Sequence, residues 1–232
     1  EAAEHREQME QVKDFIDDDF RKSEGLPNPR ELAAAGIDQE TFVSREKAWY
    51  DASILAMDVE LGRLVERLAE LGLADDTLIA FVSDHGEEFL EHGRHFHGYN
   101  ANGEMLNVPL ILHWPTAISE GVVVEQTVQA IDLMPTLLEL SRLPVPEQAQ
   151  RQRLLPLLAE ANPASLGWAS RPAIAERTLA PAAFSEEEDP DQGASFAIGD
   201  EGWKLIKNTT RPEGWPEYEL YDHEADPLNA DN

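Results

Sequence analysis

The feature that most constrains this chain is a change of period after its first third. From about Ser44, the residues Ile54, Met57, Leu61, Leu64, Leu68 and Leu71 recur at spacings of three and four, laying one apolar stripe along a long helix. Gly72 is placed to cap that helix. Asp75-Asp76-Thr77 then turns the chain into Leu78–Ser83. A short, continuously apolar run after a helix predicts a strand buried on both faces, as in a parallel sheet. Val108–His113 predicts the next strand, and Asp132–Leu140 another helix with Asp132 as N-cap and Pro135 in its first turn. Helix–strand alternation of this kind predicts a layered α/β domain.

The flanks differ in style. Residues 1–24 are helix-prone, with Met9, Val12, Ile16 and Phe20 at helical spacing, and Asp17-Asp18-Asp19 reads as a solvated face. Gly25-Leu-Pro-Asn-Pro29 ends the pattern. Residues 159–193 are weakly patterned, and Ser185–Gly193 predicts a surface loop. In the tail, Ser195–Ile198, the turn Gly199–Gly202 and Trp203–Ile206 predict a hairpin, with Glu219–Asp222 as a third antiparallel strand.

Composition narrows the function. A net charge of −28 speaks against a nucleic-acid partner, whose binding rests on phosphate neutralisation by Lys and Arg. The same charge suits a divalent cation held among carboxylates, although most of the 46 acids are expected to be a solvated surface. The absence of cysteine excludes disulfides and thiolate metal sites. No apolar run approaches the ~20 residues that a membrane helix needs. The opening Glu1–Gln8 has the character of mid-helix, so the natural beginning of the protein is expected upstream and localisation is left open.

Chemistry concentrates in Val82-Ser-Asp-His-Gly-Glu-Glu-Phe-Leu-Glu-His-Gly-Arg-His-Phe-His-Gly98, which holds four of the seven histidines. Asp84 and His85 follow the predicted strand directly, at the end where open α/β sheets place their ligands. Gly86 allows a sharp turn and close backbone approach. A carboxylate oxygen beside an imidazole nitrogen suits calcium, manganese or zinc. The plain alternative is an Asp capping a turn and a His packed at the strand end. Crowding by Glu87, Glu88 and Glu91 favours a bound cation over that alternative. His92, His95 and His97 are each candidates as ligand, acid or anion binder, and His92 and His95 are equally consistent with ordinary surface. A separate zinc site of these three histidines would need a shaped loop, because their spacing does not share a helix face.

Taken together, Tyr50–Leu64, Gly72–Glu87, Val108–Ile111, Ile131–Leu138 and Leu154–Leu158, with Trp203–Ile206 and Glu219–Pro227 in the tail, resemble the sulfatase family of the alkaline phosphatase superfamily. The resemblance covers about 46–158 and 194–229. It implies an α/β/α domain with a mostly parallel sheet plus a small C-terminal antiparallel subdomain. The division would be 1–158 (1–45 helical and weakly matched), a linker at 159–193, and the subdomain at 194–232.

By the same resemblance, Asp84 and His85 fall at the second pair of metal ligands, with calcium the expected ion and manganese or zinc the alternatives. His97 falls where the family holds the sulfate or phosphate and assists the leaving oxygen. Asn107 replaces an Arg often found before Val-Pro, which puts recognition of the substrate anion in doubt. His92 and His95 remain candidate substrate or supporting residues. The family's nucleophile, formylglycine from a Cys/Ser-x-Pro-x-Arg segment, has no counterpart in this chain, so a complete site needs the N-terminal half of the family domain. The implied reaction is metal-dependent hydrolysis of a small-molecule or glycan sulfate ester, with the isolated 232 residues expected to be incomplete and inactive. The alternatives are a phosphodiester or phosphonate hydrolase, a phosphoethanolamine-type transferase, or a non-catalytic domain of the same fold.

Overall fold

A computed structural model of the chain describes residues 2–17, 19–98, 100–149, 152–158, 166–177, 194–200, 202–209 and 216–229. The helical opening is built from α1 (Ala2–Val12), α2 (Asp19–Glu24) and α3 (Pro29–Ala34). Gly25, at φ +72°, ends α2 where the sequence places a break. Asn28 starts α3 with a capping box: its side chain accepts the N–H groups of Arg30 and Glu31, and Glu31 accepts that of Asn28. Val12, Ile16, Leu32, Ile37 and Phe42 close a core with Leu90, a residue of the candidate site segment. The side chain of Phe20 and the residues 178–193, which include Ser185–Gly193, lie outside the described residues.

The long helix, α4, runs Gln39–Glu70 and begins five residues earlier than expected, because Asp38 caps the N–H of Thr41 at 2.9 Å. Gly72 follows its end at φ +68°, as its place in the sequence predicts. The stripe itself is not buried. Ile54, Met57, Leu64 and Leu71 are all more than two-fifths exposed, so α4 packs through its first turns and leaves an apolar face open.

β1 (Ile79–Val82) pairs with β4 (Leu110–His113), Ile79 opposite His113 and Val82 opposite Leu110. This pairing is antiparallel and corrects the expectation of a parallel partner. Among the described residues every strand pair is antiparallel. An apolar run reports burial and carries no direction. The connection from 83 to 109 contains the two-residue strands β2 (Glu88–Phe89) and β3 (His95–Phe96) and the single-turn helix α5 (Gly103–Leu106), with no crossover helix. Alternate residues of β1 and β4 are exposed, so neither strand is buried on both faces.

Asp132 precedes α6 (Leu133–Leu140) as expected but does not cap it with its side chain. Its carboxylate instead accepts the N–H of Gln129 at 3.1 Å and pairs with Arg171. After α7 (Leu155–Leu158), the C-terminal sheet has the order β5 (Ala173–Arg177), β6 (Ser195–Asp200), β7 (Trp203–Asn208), β8 (Tyr218–Asp222). The predicted hairpin and third strand are present. β5 is an addition: it falls inside 159–193, expected as linker, where Ala173-Ile-Ala-Glu-Arg177 is too short a run to stand out. One face of the sheet buries Ala197, Ile206 and Tyr221 against Ala101, so this subdomain grips the segment that leads out of the candidate site.

Candidate active site

Ser83 follows the last residue of β1, and Asp84 and His85 project beyond it. They lie on no helix and are not buried. Asp84 stands on the rim of a groove of about 720 Å³ between β4 and the C-terminal sheet. Gly86 supplies close approach, as expected, though without a left-handed turn. Its N–H donates to the Met105 carbonyl at 2.9 Å, and a Cβ there would lie 1.8 Å from the Glu104 carbonyl oxygen.

The main-chain carbonyl of Gly86 lies 2.8 Å from His85 Nδ1 and can only accept, so Nδ1 carries the proton and the lone pair is on Nε2. That nitrogen is 3.8 Å from Asp84 Oδ2. One exposed carboxylate and one imidazole with its free nitrogen on the same side fit a divalent cation, and the donor set of oxygen plus nitrogen admits calcium, manganese or zinc.

His97 joins this pair. Its ring is 4.2 Å from that of His85 and stacks at 3.8 Å on Phe96, measured between centroids. Phe96 holds φ +89°, a costly conformation for a non-glycine residue and of the kind that gathers at functional sites. His97 Nδ1 lies 3.2 Å from Glu87 Oε2. Glu87 is thus a carboxylate that orients the His97 ring, a placement the sequence reading did not single out. In the sequence it stands out only as one of three acids crowding Asp84 and His85.

The remaining candidates go elsewhere. His95 is buried on the helical side, against Phe42 and Phe89, with Nε2 3.6 Å from Glu46. Burial pushes its pKa down, against the pull of the Glu46, Glu87 and Glu91 charges. Asn107 spends its side-chain amide on the Pro227 carbonyl at 2.9 Å, tying α5 to the C-terminal segment.

His92 belongs to a buried polar cluster that the sequence did not reveal. Its Nδ1 is 2.8 Å from Glu104 Oε1 and its Nε2 is 2.7 Å from the Asn229 carbonyl. Glu88, fully buried, accepts the main-chain N–H groups of His92 and Arg94 at 2.9 and 2.8 Å and the Asn100 amide at 2.6 Å. Burial raises the Glu88 pKa to about 7, the two N–H bonds opposing it and the Glu104 charge adding to it. Burial works against a charge on His92, but its bonds to Glu104 and Asn229 and the charges of Glu104 and Glu88 outweigh it and lift its pKa to about 9. Lys204 donates to Asn229 Oδ1 at 2.8 Å, and burial lowers its pKa to about 8. Potential ligand atoms of Glu88, His92 and Glu104 lie within 4.8 Å of one another. Here, however, both His92 nitrogens are occupied by hydrogen-bond partners.

Beyond the end of β1 stand an open Asp84–His85 pair and, beside it, the His97 imidazole. The sulfatase family model matches residues 3–143, and that of the N-sulphoglucosamine sulphohydrolase C-terminal region matches 91–232. The chain belongs to the sulfatase family. It is 30% identical to arylsulfatase K of Xenopus laevis over 80% of its own length and 33% of that protein. It is 38% identical to the multifunctional alkaline phosphatase superfamily protein PehA of Trinickia caryophylli, over 53% of this chain and 24% of that one. A solved structure in complex with its substrate D-glucosamine-2-N,6-O-disulfate aligns with TM-score 0.62 at 30% identity, over 78% of this chain and 34% of the other. The chain therefore spans between about a quarter and a third of the length of these relatives. Among the described residues no helix is long and apolar enough to cross a membrane.

Proposed function

We propose that these residues form the C-terminal part of a metal-dependent sulfuric ester hydrolase acting on a small-molecule or glycan sulfate. The observation that carries this reading is the convergence of Asp84, His85 and His97 beyond β1. Asp84 and His85 would hold the ion, which when bound supplies positive charge beside the ester oxygens. Glu87, by accepting from Nδ1–H of His97, leaves Nε2 as the working nitrogen of that ring. In its charged form Nε2–H neutralises the sulfuryl group or gives its proton to the leaving oxygen. This chain has no cysteine and no Cys/Ser-x-Pro-x-Arg segment to supply the family's nucleophile. The open apolar stripe of α4 suits further layers of the same domain.

A second reading, phosphodiester or phosphonate hydrolysis at the same residues, is favoured by the 38% identity to a relative named as multifunctional within the superfamily. The test is turnover of an aryl sulfate and an aryl phosphodiester by the protein carrying this chain, with metal content measured alongside. Asp84→Ala is expected to lose the metal and abolish turnover, while His97→Ala keeps the metal and loses about 10²–10³ in rate. Full metal and full activity in Asp84→Ala would refute the site. A phosphodiester turned over far faster than the sulfate would replace the first reading with the second.

A further inference from the structure

The His92 cluster lies outside the proposed chemistry yet joins three parts of the chain. His92 sits in the loop between β2 and β3, Glu104 belongs to α5, and Asn229 is in the segment after β8. The Asn229 carbonyl can only accept, so His92 Nε2 carries a proton. Glu104, whose side chain is 5% exposed, faces Nδ1, and its second oxygen, Oε2, is buried with no partner among the described residues. Glu104 Oε1 lies 2.8 Å from Nδ1 and also accepts the Asn100 amide at 3.4 Å, the pattern of a carboxylate oxygen. A carboxylate facing an imidazolium turns this contact into a charge-assisted hydrogen bond.

Asn229 is itself a junction. It is 1% exposed and held at φ +62°, its carbonyl engages His92, and its side chain receives Lys204 of β7. On the other side, Glu88 gathers the N–H groups of His92 and Arg94 and so shapes the same loop that returns through β3 to His97.

We infer that His92 is a positioning residue: as a cation between Glu104 and the carbonyl of Asn229, it fastens the loop leading to His97 onto the C-terminal segment. The C-terminal sheet thereby helps set where the His97 imidazole stands, a consequence for catalysis that rests on the function proposed above. The charged and titratable groups facing His92 are Glu104 from α5, Glu88 from β2 and, through Asn229, Lys204 from β7. Removing the charge at any of them loosens the same junction.

The test begins with the wild-type chain, by nitrogen-detected NMR of its histidine rings at pH 7.5. Both His92 nitrogens are expected to carry a proton. An unprotonated nitrogen, or loss of the Nδ1 proton on adding Zn²⁺, would overturn the proposal in favour of a neutral ring or a metal held by Glu88, His92 and Glu104. In His92→Gln, amide exchange of residues 226–229 and 88–97 should quicken at least about tenfold while the centre of β6–β7 is unmoved. Equal quickening everywhere would reduce His92 to general stability and sink the latch. In the protein carrying this chain, the same variant should lower kcat by about 10–100-fold with KM and metal content kept. A wild type without esterase activity would refute the proposed function and leave the NMR and exchange results to decide the latch alone.

Discussion

Two groups of histidines arise from one seventeen-residue stretch and are opposite in construction. At the end of β1, His85 has one nitrogen committed and one open, and its carboxylate neighbour Asp84 is almost fully in solvent. A few residues on, His92 has both nitrogens committed, and Glu88 and Glu104 around it are buried. The first arrangement leaves lone pairs facing outward, as binding requires. The second spends both His92 nitrogens and both Glu88 oxygens on partners within the fold, as holding requires. Similar residue types therefore divide into function and support according to exposure and unspent valence.

The comparison breaks most visibly if the two groups do not depend on the same backbone contact. Gly86 lies between them, against the Glu104 carbonyl, and Gly103 lies against the Pro227 carbonyl, each leaving 1.8 Å where a Cβ would go. Gly86→Ala must push α5 away from the strand end and disturb both groups at once. We expect a loss of about 3 kcal/mol or failure to fold, measured by urea unfolding, since overpacking against backbone has no flexible side chain to yield. A variant of wild-type stability would mean that the two groups are independently held.

Much of this division is legible in the sequence, but unevenly. Asp84-His85-Gly86 is legible because a strand end and a glycine mark it locally. The hairpin from Ser195 to Ile206 is legible for the same reason: its turn glycines are part of the signal. The Glu88–His92–Glu104 cluster is not, because its partners are separated by up to 137 residues along the chain. Only packing brings Asn229 to His92. The direction of β4 against β1 is equally hidden, since apolar runs specify burial and leave the connection to decide pairing. Nor does the stripe of α4 announce that it stays exposed, for helical periodicity marks a face without naming what covers it.

The buried group should show itself in the pH dependence of stability. His92 is raised from 6.5 to about 9 in the folded chain, so its stabilisation is fully present below pH 6.5 and lost as pH rises through 9. At about 1.4 kcal/mol per unit this amounts to roughly 3 kcal/mol. Glu88, raised to about 7, acts in the same direction, its contribution falling between pH 4.5 and 7. Lys204, lowered to about 8, offsets part of the loss from pH 8 to 10.5. The gap in unfolding free energy between wild type and His92→Gln should therefore be widest at pH 6 and close by pH 10. A gap that stays constant across that range would show that folding leaves the proton affinity of His92 unshifted.

The smallest effect on stability is expected at the site with the largest effect on function. The Asp84 side chain is 88% exposed, and among the described residues its hydrogen bond is a local contact with the N–H of His85 at 3.1 Å. Removing it deletes no buried contact and leaves no buried group unpaired, so Asp84→Ala should change the unfolding free energy by under about 0.5 kcal/mol without metal. With a divalent ion present the two proteins should separate, because an ion bound only to the folded state stabilises it in proportion to occupancy. At an ion concentration a hundredfold above the dissociation constant, wild type gains about 2.7 kcal/mol and Asp84→Ala gains little. Thermal unfolding of the protein carrying this chain and of its Asp84→Ala variant, with calcium, manganese and zinc in turn, checks this, and the ion giving the greatest separation is the one the site prefers. Equal gains in wild type and variant would place the bound ion elsewhere, and the buried Glu88 and Glu104 carboxylates would then be the first place to look.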